Sequence, residues 1–412
     1  MFYNKGCGGM IKNAKEILEL EAKGCFDFFW NEANTNVNSP GYGLIRDKTD
    51  SRATMISSIA SVGFGLTAII IGIERGWITK EEGYERTHGT LRTFLYNADH
   101  SEGFFFHFLN METAKKYEEA YDCASIIDTA IFLNGALTSA EYFGGEVAEM
   151  FEKIYGRVDW LKYYDKERNY FYMGYTPERG GWGQWDHYAE QLMQYVLGVA
   201  SPTFPVPASI YEGFDRSLGS YKEFEFRNSP AGQIFTHQFS HAWFDFRDYV
   251  DAEGIDWFEN SVIATKAQKQ YCIEHPKKFK SFSENSWGLT ACEGPEGYRG
   301  YGSAPFHPNC DANINDGTVS PCAAIGSLIF APEDVLPAIE HFYNEVPGLW
   351  GPYGFLDSYN KDKDWVCGID IGIDKGITLL MIENYRSDLI YNLYMNNKYI
   401  KKSIELLGWK HK

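Results

Sequence analysis

Three acids in this sequence sit where a solvated carboxylate has no reason to be. Asp128 lies in Ser125-Ile-Ile-Asp-Thr-Ala-Ile-Phe-Leu, surrounded by Ile127, Ala130, Phe132 and Leu133. Glu190 follows a glycine-aromatic stretch, in Asp186-His-Tyr-Ala-Glu-Gln-Leu-Met, and shares a helical stripe with Tyr195, Val196 and Val199. Asp374 stands in Gly368-Ile-Asp-Ile-Gly-Ile-Asp-Lys-Gly, where closely spaced glycines let a backbone and a ligand approach each other. Two such acids facing one another suit glycosidic cleavage: one protonates the leaving oxygen, and the other activates water or attacks directly. Each acid also has a structural reading. Ser125-x-x-Asp128 has the form of a capping box, an acid at position 190 gains from a helix dipole once Asp186 is the N-cap, and either Asp370 or Asp374 serves as a cap for the helix that follows.

A second tier of residues has the composition of a sugar cleft, in which polar groups grip hydroxyls and flat rings stack on pyranose faces. It comprises Arg46 and Asp122, Trp182 and Trp185, and His237, His241 and Trp243 in THQFSHAWFDF. Glu284, Asn285 and Trp287 in SENSWGL, Tyr298, Asp316, Tyr353 and Asp370 complete it. Aromatic residues make up 17% of the chain, and their clustering beside Gly, Asp and Glu in loops exceeds what a core alone needs. His237 and His241 have the i, i+4 spacing of a metal pair. With no HExxH and no third ligand, they read as structural or substrate-binding, and no metal or cofactor is expected.

Several function classes are excluded. A net charge of −18 disfavours nucleic acid and acidic polysaccharides but not a neutral ligand. Gly294-x-x-Gly297 and Gly300-x-Gly302 are followed by no Gly-Lys-Ser/Thr and lack the strand-helix context of a dinucleotide site. No G-x-S-x-G elbow is present. The eight cysteines form no C-x-x-C pair, and Cys123 and Cys272 read as reduced structural thiols. The first ten residues are glycine-rich without an apolar core, and the longest apolar run, 66–73, is too short to span a bilayer. The expectation is a cytoplasmic protein with no membrane partner.

The elements that must hold these acids are mostly helices. Ile11 to Trp30 carries the first. Met55, Ile59, Val62, Leu66, Ile69, Ile70 and Ile73 mark a second that stops at Gly76, and Thr79 opens a third. Further helices are predicted at about 125–143, 147–161, 187–199, 237–249, 256–274, 320–328, 333–346, 375–384 and 388–406, with short hairpins at 103–109 and 170–175. No linker divides them, so residues 1–412 read as a single domain. An all-α (α/α)6 toroid, a closed ring of helical hairpins with loops at one mouth, accommodates that helix number.

The order of the motifs carries a family resemblance. GLIRD at 43–47, SIASVGFGL at 58–66, DTAIFLNGAL at 128–137, ASPTFP at 200–205 and FTHQFSHAWFDF at 235–246 appear in turn. WFENS at 257–261, ENSWGLTACEGPEGY at 284–298, DGTVSPCAAIGSLIFAPE at 316–333, WGPYGFLDSYN at 350–360 and GIDKGITLLMIENYR at 372–386 follow. This pattern resembles the bacterial glucoamylase-like family, which includes β-1,2-glucanases of the glycoside hydrolase family 144 type and the related transfer domain of cyclic β-1,2-glucan synthases. The resemblance implies the toroid and a glycoside hydrolase acting on a neutral β-glucan, β-1,2-glucan or its oligosaccharides. It also implies that an acid matching Asp128 and a glutamate matching Glu190 matter for activity. The chain departs from the endo-glucanase pattern in having Ser125-x-x-Asp128 where those enzymes have Asp-x-x-Glu, which leaves endo, exo and transfer modes open. A transglycosylase and a non-catalytic glucan-binding protein are the competing readings.

Overall fold

A computed structural model describes residues 11–117, 123–307 and 315–412. The glycine-rich start (residues 1–10) and Asp122 lie outside the described residues. Among the described residues there are twelve α-helices and a set of short two- and three-stranded sheets. In chain order the helices are α1 (Ala14–Asn31), α2 (Ile59–Glu74), α3 (Lys80–Tyr96), α4 (Ile126–Phe143), α5 (Gly145–Gly156) and α6 (Leu192–Ala200). They continue with α7 (Trp257–Glu274), α8 (Pro321–Ile325), α9 (Pro332–Glu345), α10 (Gly372–Arg386), α11 (Leu389–Asn396) and α12 (Lys398–Leu406).

Two layers follow from the sequence of each helix. The segment IASVGFGLTAIIIG of α2 is apolar or small on every face, and all of it is buried. The same holds for α6 and α8, and for most of α4 and α10. Helices apolar all round belong inside. By contrast α1, α3, α5 and α9 bury one stripe and expose the rest, so they form the outer layer. The inner helices are neighbours in succession: α2 packs on α4, α4 on α6 and α8 on α10, while α10 returns to α2. The α2–α4 crossing is close because glycine faces backbone. A Cβ on Gly135 would lie 2.0 Å from the Gly63 carbonyl oxygen.

Local signals set several boundaries. Asn13 with Glu16 and Thr79 with Glu82 form full capping boxes at α1 and α3. Ser58 and Ser125 cap α2 and α4. The expected hairpin residues pair as Ser101 with Phe104 and Tyr170 with Asp165.

Other expectations fail where tertiary contacts win. The stretch expected to be helical over 237–249 is three short 3-10 turns, Ile234–His237, Phe239–Ala242 and Phe246–Asp248. Side-chain bonds to distant segments hold it there. Gln238 Nε2 donates to the Ala323 carbonyl at 2.8 Å, and Ser240 Oγ donates to the Glu190 carbonyl at 2.8 Å. The expected helix 388–406 is divided at Asn397, which caps α12. The expected helix 147–161 stops at Gly156, and 160–162 form a separate turn. Among the described residues, Cys25, Cys272, Cys292, Cys322 and Cys367 form no disulfide. No described helix is long and apolar enough to cross a membrane.

Candidate active site

The N-terminal turns of the inner helices gather the acids. Ser125 ends a strand paired with Gly174–Thr176, and the Gly174–Thr176 strand pairs in turn with Gly180–Trp182. The sheet thus brings half-buried Trp182 beside the start of α4. Ser125 Oγ accepts the Asp128 amide proton at 3.3 Å and donates to Asp128 Oδ2 at 2.5 Å. The hydroxyl therefore performs the capping, and the carboxylate faces outward with Oδ1 3.7 Å from His107 Nε2.

Glu190 is not in the first turn of a helix, as expected, but in the turn before α6. Asp186 is not an N-cap: its Oδ1 lies 2.9 Å from His187 Nδ1. Gln191 closes the turn with its own side chain. It accepts from the Ala189 amide at 2.7 Å and donates to the His187 carbonyl at 2.7 Å. Glu190, half-buried, has its pKa pushed up to about 7. Desolvation is the main cause. A hydrogen bond from its own amide opposes it, and the negative charge of Asp128 reinforces it.

Residues outside the expected set gather around Asp128. Asp47 is raised above the ordinary carboxyl range by burial, opposed by His107 and Lys48 and reinforced by Asp128 and Glu293. Lys48 Nζ lies 3.7 Å from Glu293 Oε2. Asp47, in GLIRD, has one visible signal, an acid two places after the Leu44-Ile45 pair, which is buried. His107 and Glu293 have none, because each becomes relevant only through partners far along the chain. Tyr298 presents a half-exposed ring. Burial, together with Asp374, Asp357, Cys292 and Asp47, pushes its phenol well above the usual value.

Asp374 begins α10 but is 7% exposed and paired with Asp357. Burial raises both carboxyls, Asp374 to about 6 and Asp357 further. The upward push is stronger on Asp357, which makes it the readier of the two to hold a proton. Asp357 also accepts the Glu293 amide at 2.6 Å, and Cys322 Sγ donates to Asp374 at 3.2 Å. Asp370 is likewise buried, in an ion pair with Lys375 at 2.9 Å.

Several residues expected to line a sugar cleft are core instead. His237 and His241 are each about 2% exposed, and desolvation lowers their pKa values to about 3. His241 Nε2 lies 3.0 Å from Ser261 Oγ, and His237 packs on Tyr188 and Phe226. Trp243 is fully buried and donates to Thr67 Oγ1 at 3.0 Å, and Trp185 and Trp287 are buried as well. Large rings fill the space between layers more profitably than they cover solvent. Arg46 and Tyr353 both bind Glu32, at 2.7 and 2.8 Å, in a structural network. Asp316 caps its own turn through Thr318 and accepts from Asn360. Glu284 and Asn285 are exposed at the tip of the Ser283–Ser286 turn.

Comparison with known proteins places this arrangement. The family model described as "Putative glucoamylase" matches residues 183–398. A solved structure from Bacteroides uniformis bearing the same description is 30% identical, covers 97% of this chain and 98% of its own, and superposes with a TM-score of 0.87. An endo-beta-1,2-glucanase from Chitinophaga pinensis, solved with sophorotriose and glucose, is 27% identical with a TM-score of 0.87. Its match covers 97% of this chain and 99% of its own. An exo beta-1,2-glucooligosaccharide sophorohydrolase (non-reducing end) from Parabacteroides distasonis is 27% identical over 95% of this chain. The chain spans 57% of the length of that curated relative. With the family model covering more than half of its residues, the chain belongs to this glucoamylase-like family.

Proposed function

We propose that this chain is a glycoside hydrolase of β-1,2-linked glucooligosaccharides, with Glu190 as general acid and Asp128 as its partner carboxylate. What carries the reading is the placement of Glu190, desolvated and within reach of the Asp128 charge, which together push its pKa up to about 7. A carboxyl so poised holds its proton for part of the time near neutral pH, as a donor to a glycosidic oxygen must. Donation breaks the Glu190 O–H bond as the C–O bond to the leaving sugar breaks. Asp128, held by Ser125 and facing His107, then takes a proton from the attacking water or attacks the anomeric carbon itself. Asp374, bound to Asp357, is the lower-ranked candidate for the second carboxyl.

The names of the relatives support the β-1,2 linkage, and the acidic cleft is compatible with an uncharged substrate. The succession of inner helices supports an (α/α)6 toroid in which the 234–242 turns serve as the sixth inner wall, in one catalytic domain spanning 1–412.

The test is Glu190→Gln assayed on β-1,2-glucooligosaccharides with products followed by NMR. The expected result is a loss of at least ~100-fold in kcat. Activity within a few-fold of wild type would remove Glu190 from the mechanism. Products longer than the substrate would make the enzyme a transglycosylase, and tight binding without turnover would make it a binding protein.

A further inference from the structure

His187, Asp215 and His307 come together on the surface side of the turn that carries Glu190. Their ligand atoms all lie within 4.8 Å of one another. His187 Nε2 is 3.2 Å from His307 Nε2 and 3.8 Å from Asp215 Oδ2. Two nitrogens on one tetrahedral zinc, each at about 2.05 Å, are separated by roughly 3.3 Å. The observed nitrogen spacing therefore already matches a shared ion, and the carboxylate oxygen, 3.8 Å from His187 Nε2 and within 4.8 Å of the His307 ligand atom, closes in on binding.

The surroundings orient His187 and Asp215. His187 Nδ1 lies 2.9 Å from Asp186 Oδ1, and a carboxylate only accepts, so Nδ1 carries the proton and Nε2 presents a lone pair. This carboxylate–histidine arrangement orients metal-binding imidazoles generally. Asp215 Oδ1 is occupied by the Ser217 amide at 2.8 Å and by the Ser217 hydroxyl, which leaves Oδ2 turned toward the two rings. Backbone bonds hold all three segments. The Tyr188 amide donates to the Asp215 carbonyl at 2.9 Å, the Asp215 amide to the Asp186 carbonyl at 2.7 Å, and the His307 amide to the Pro230 carbonyl at 3.0 Å. The two imidazole rings meet edge to face, with centroids 4.5 Å apart.

We propose that His187, His307 and Asp215 form a site for a divalent transition metal of the zinc class, which ties the Glu190 turn to the 215 and 307 segments. Two imidazoles and one carboxylate favour zinc, cobalt or nickel over calcium or magnesium, which prefer all-oxygen sets. One coordination position remains for water. The metal is a clamp on the turn and takes no part in proton transfer. Its binding does not depend on the hydrolytic reading, and the two fail separately.

The test uses full-length protein stripped with a chelator and titrated calorimetrically with Zn2+, Co2+ and Ca2+. The expected result is one Zn2+ per chain at micromolar affinity or tighter, a rise of several degrees in Tm, and a visible Co2+ band of tetrahedral intensity. Calcium should produce none of these. His307→Ala and His187→Gln should each weaken Zn2+ binding at least tenfold, and Asp215→Asn should weaken it less. Metal-free Tm and circular dichroism report whether the variants still fold. Failure of wild-type protein to bind Zn2+ below 100 μM would overturn the site. So would affinity and a Co2+ spectrum left unchanged in both histidine variants, which would place the metal elsewhere.

Discussion

Two groups of acids begin inner helices that both pack on α2, and they differ in what faces them. At α4, Asp128 meets a serine hydroxyl, a histidine at 3.7 Å and the charge it shares with Glu190. At α10, Asp370 and Glu21 enclose the Lys375 ammonium at 2.9 and 3.9 Å, while burial raises the paired carboxyls of Asp374 and Asp357. Burial opposes the charge on Lys375, but its two carboxylates outweigh that and hold it charged. The Tyr353 carbonyl, at 2.9 Å, and the Phe355 carbonyl also accept from it. Desolvation alone therefore does not mark a functional acid. The informative case is an acid raised by burial while no cation compensates it and a second carboxylate lies near.

The largest expected effect falls on the compensated group. Lys375→Met leaves Asp370 and Glu21 buried without a cation and should cost about 3–5 kcal/mol in urea denaturation. A cost below about 1 kcal/mol would mean that the cluster is not held by its charges. The uncompensated acid should behave in the opposite sense. The native pKa of Glu190 is about 7 against an ordinary 4.5, so the folded chain binds the extra proton between those values and stability falls as pH rises through that window. Glu190→Gln should then be more stable than wild type at pH 8, by up to about 3 kcal/mol, and no more stable at pH 4. Equal stability at both pH values would show that no charge is being buried there. Activity that needs protonated Glu190 should fall above pH 7, and a rate profile flat to pH 9 would contradict the assignment.

Smaller effects sharpen the boundary between the groups. His107→Gln should lower kcat about tenfold, through the position of Asp128, with KM nearly unchanged (about 1.4 kcal/mol in the barrier). A pure KM effect would make His107 a substrate contact instead. Asp374→Asn keeps a hydrogen-bonding partner for Asp357 and should change stability by no more than about 1 kcal/mol. If its turnover loss equals that of Glu190→Gln, the second carboxyl of the reaction is Asp374 and not Asp128.

Much of the scaffold was legible locally. The apolar spacing from Met55 to Ile73 announced α2, Thr79 announced α3, and Ser125 announced α4. The acids Asp128 and Glu190 stood out because their helical neighbours are apolar. The 3-10 turns over 234–248 did not, since their anchors are Gln238 to Ala323 and Ser240 to Glu190, bonds between segments remote in sequence. Aromatic-rich motifs misled for a related reason. THQFSHAWFDF looks the same whether its rings face sugar or core, and here Trp243 faces Thr67 and Phe64.

By itself the amino-acid sequence determined where most of the helices run and which acids lack a solvated surrounding, because these depend on residues within one or two turns. Only the tertiary structure decided that Asp47, His107 and Glu293 gather around Asp128, that Asp370 and Asp374 are buried, and that His187 meets His307. Electrostatic fields and desolvation act through space, and the groups that set them are brought together by packing, not by spacing along the chain.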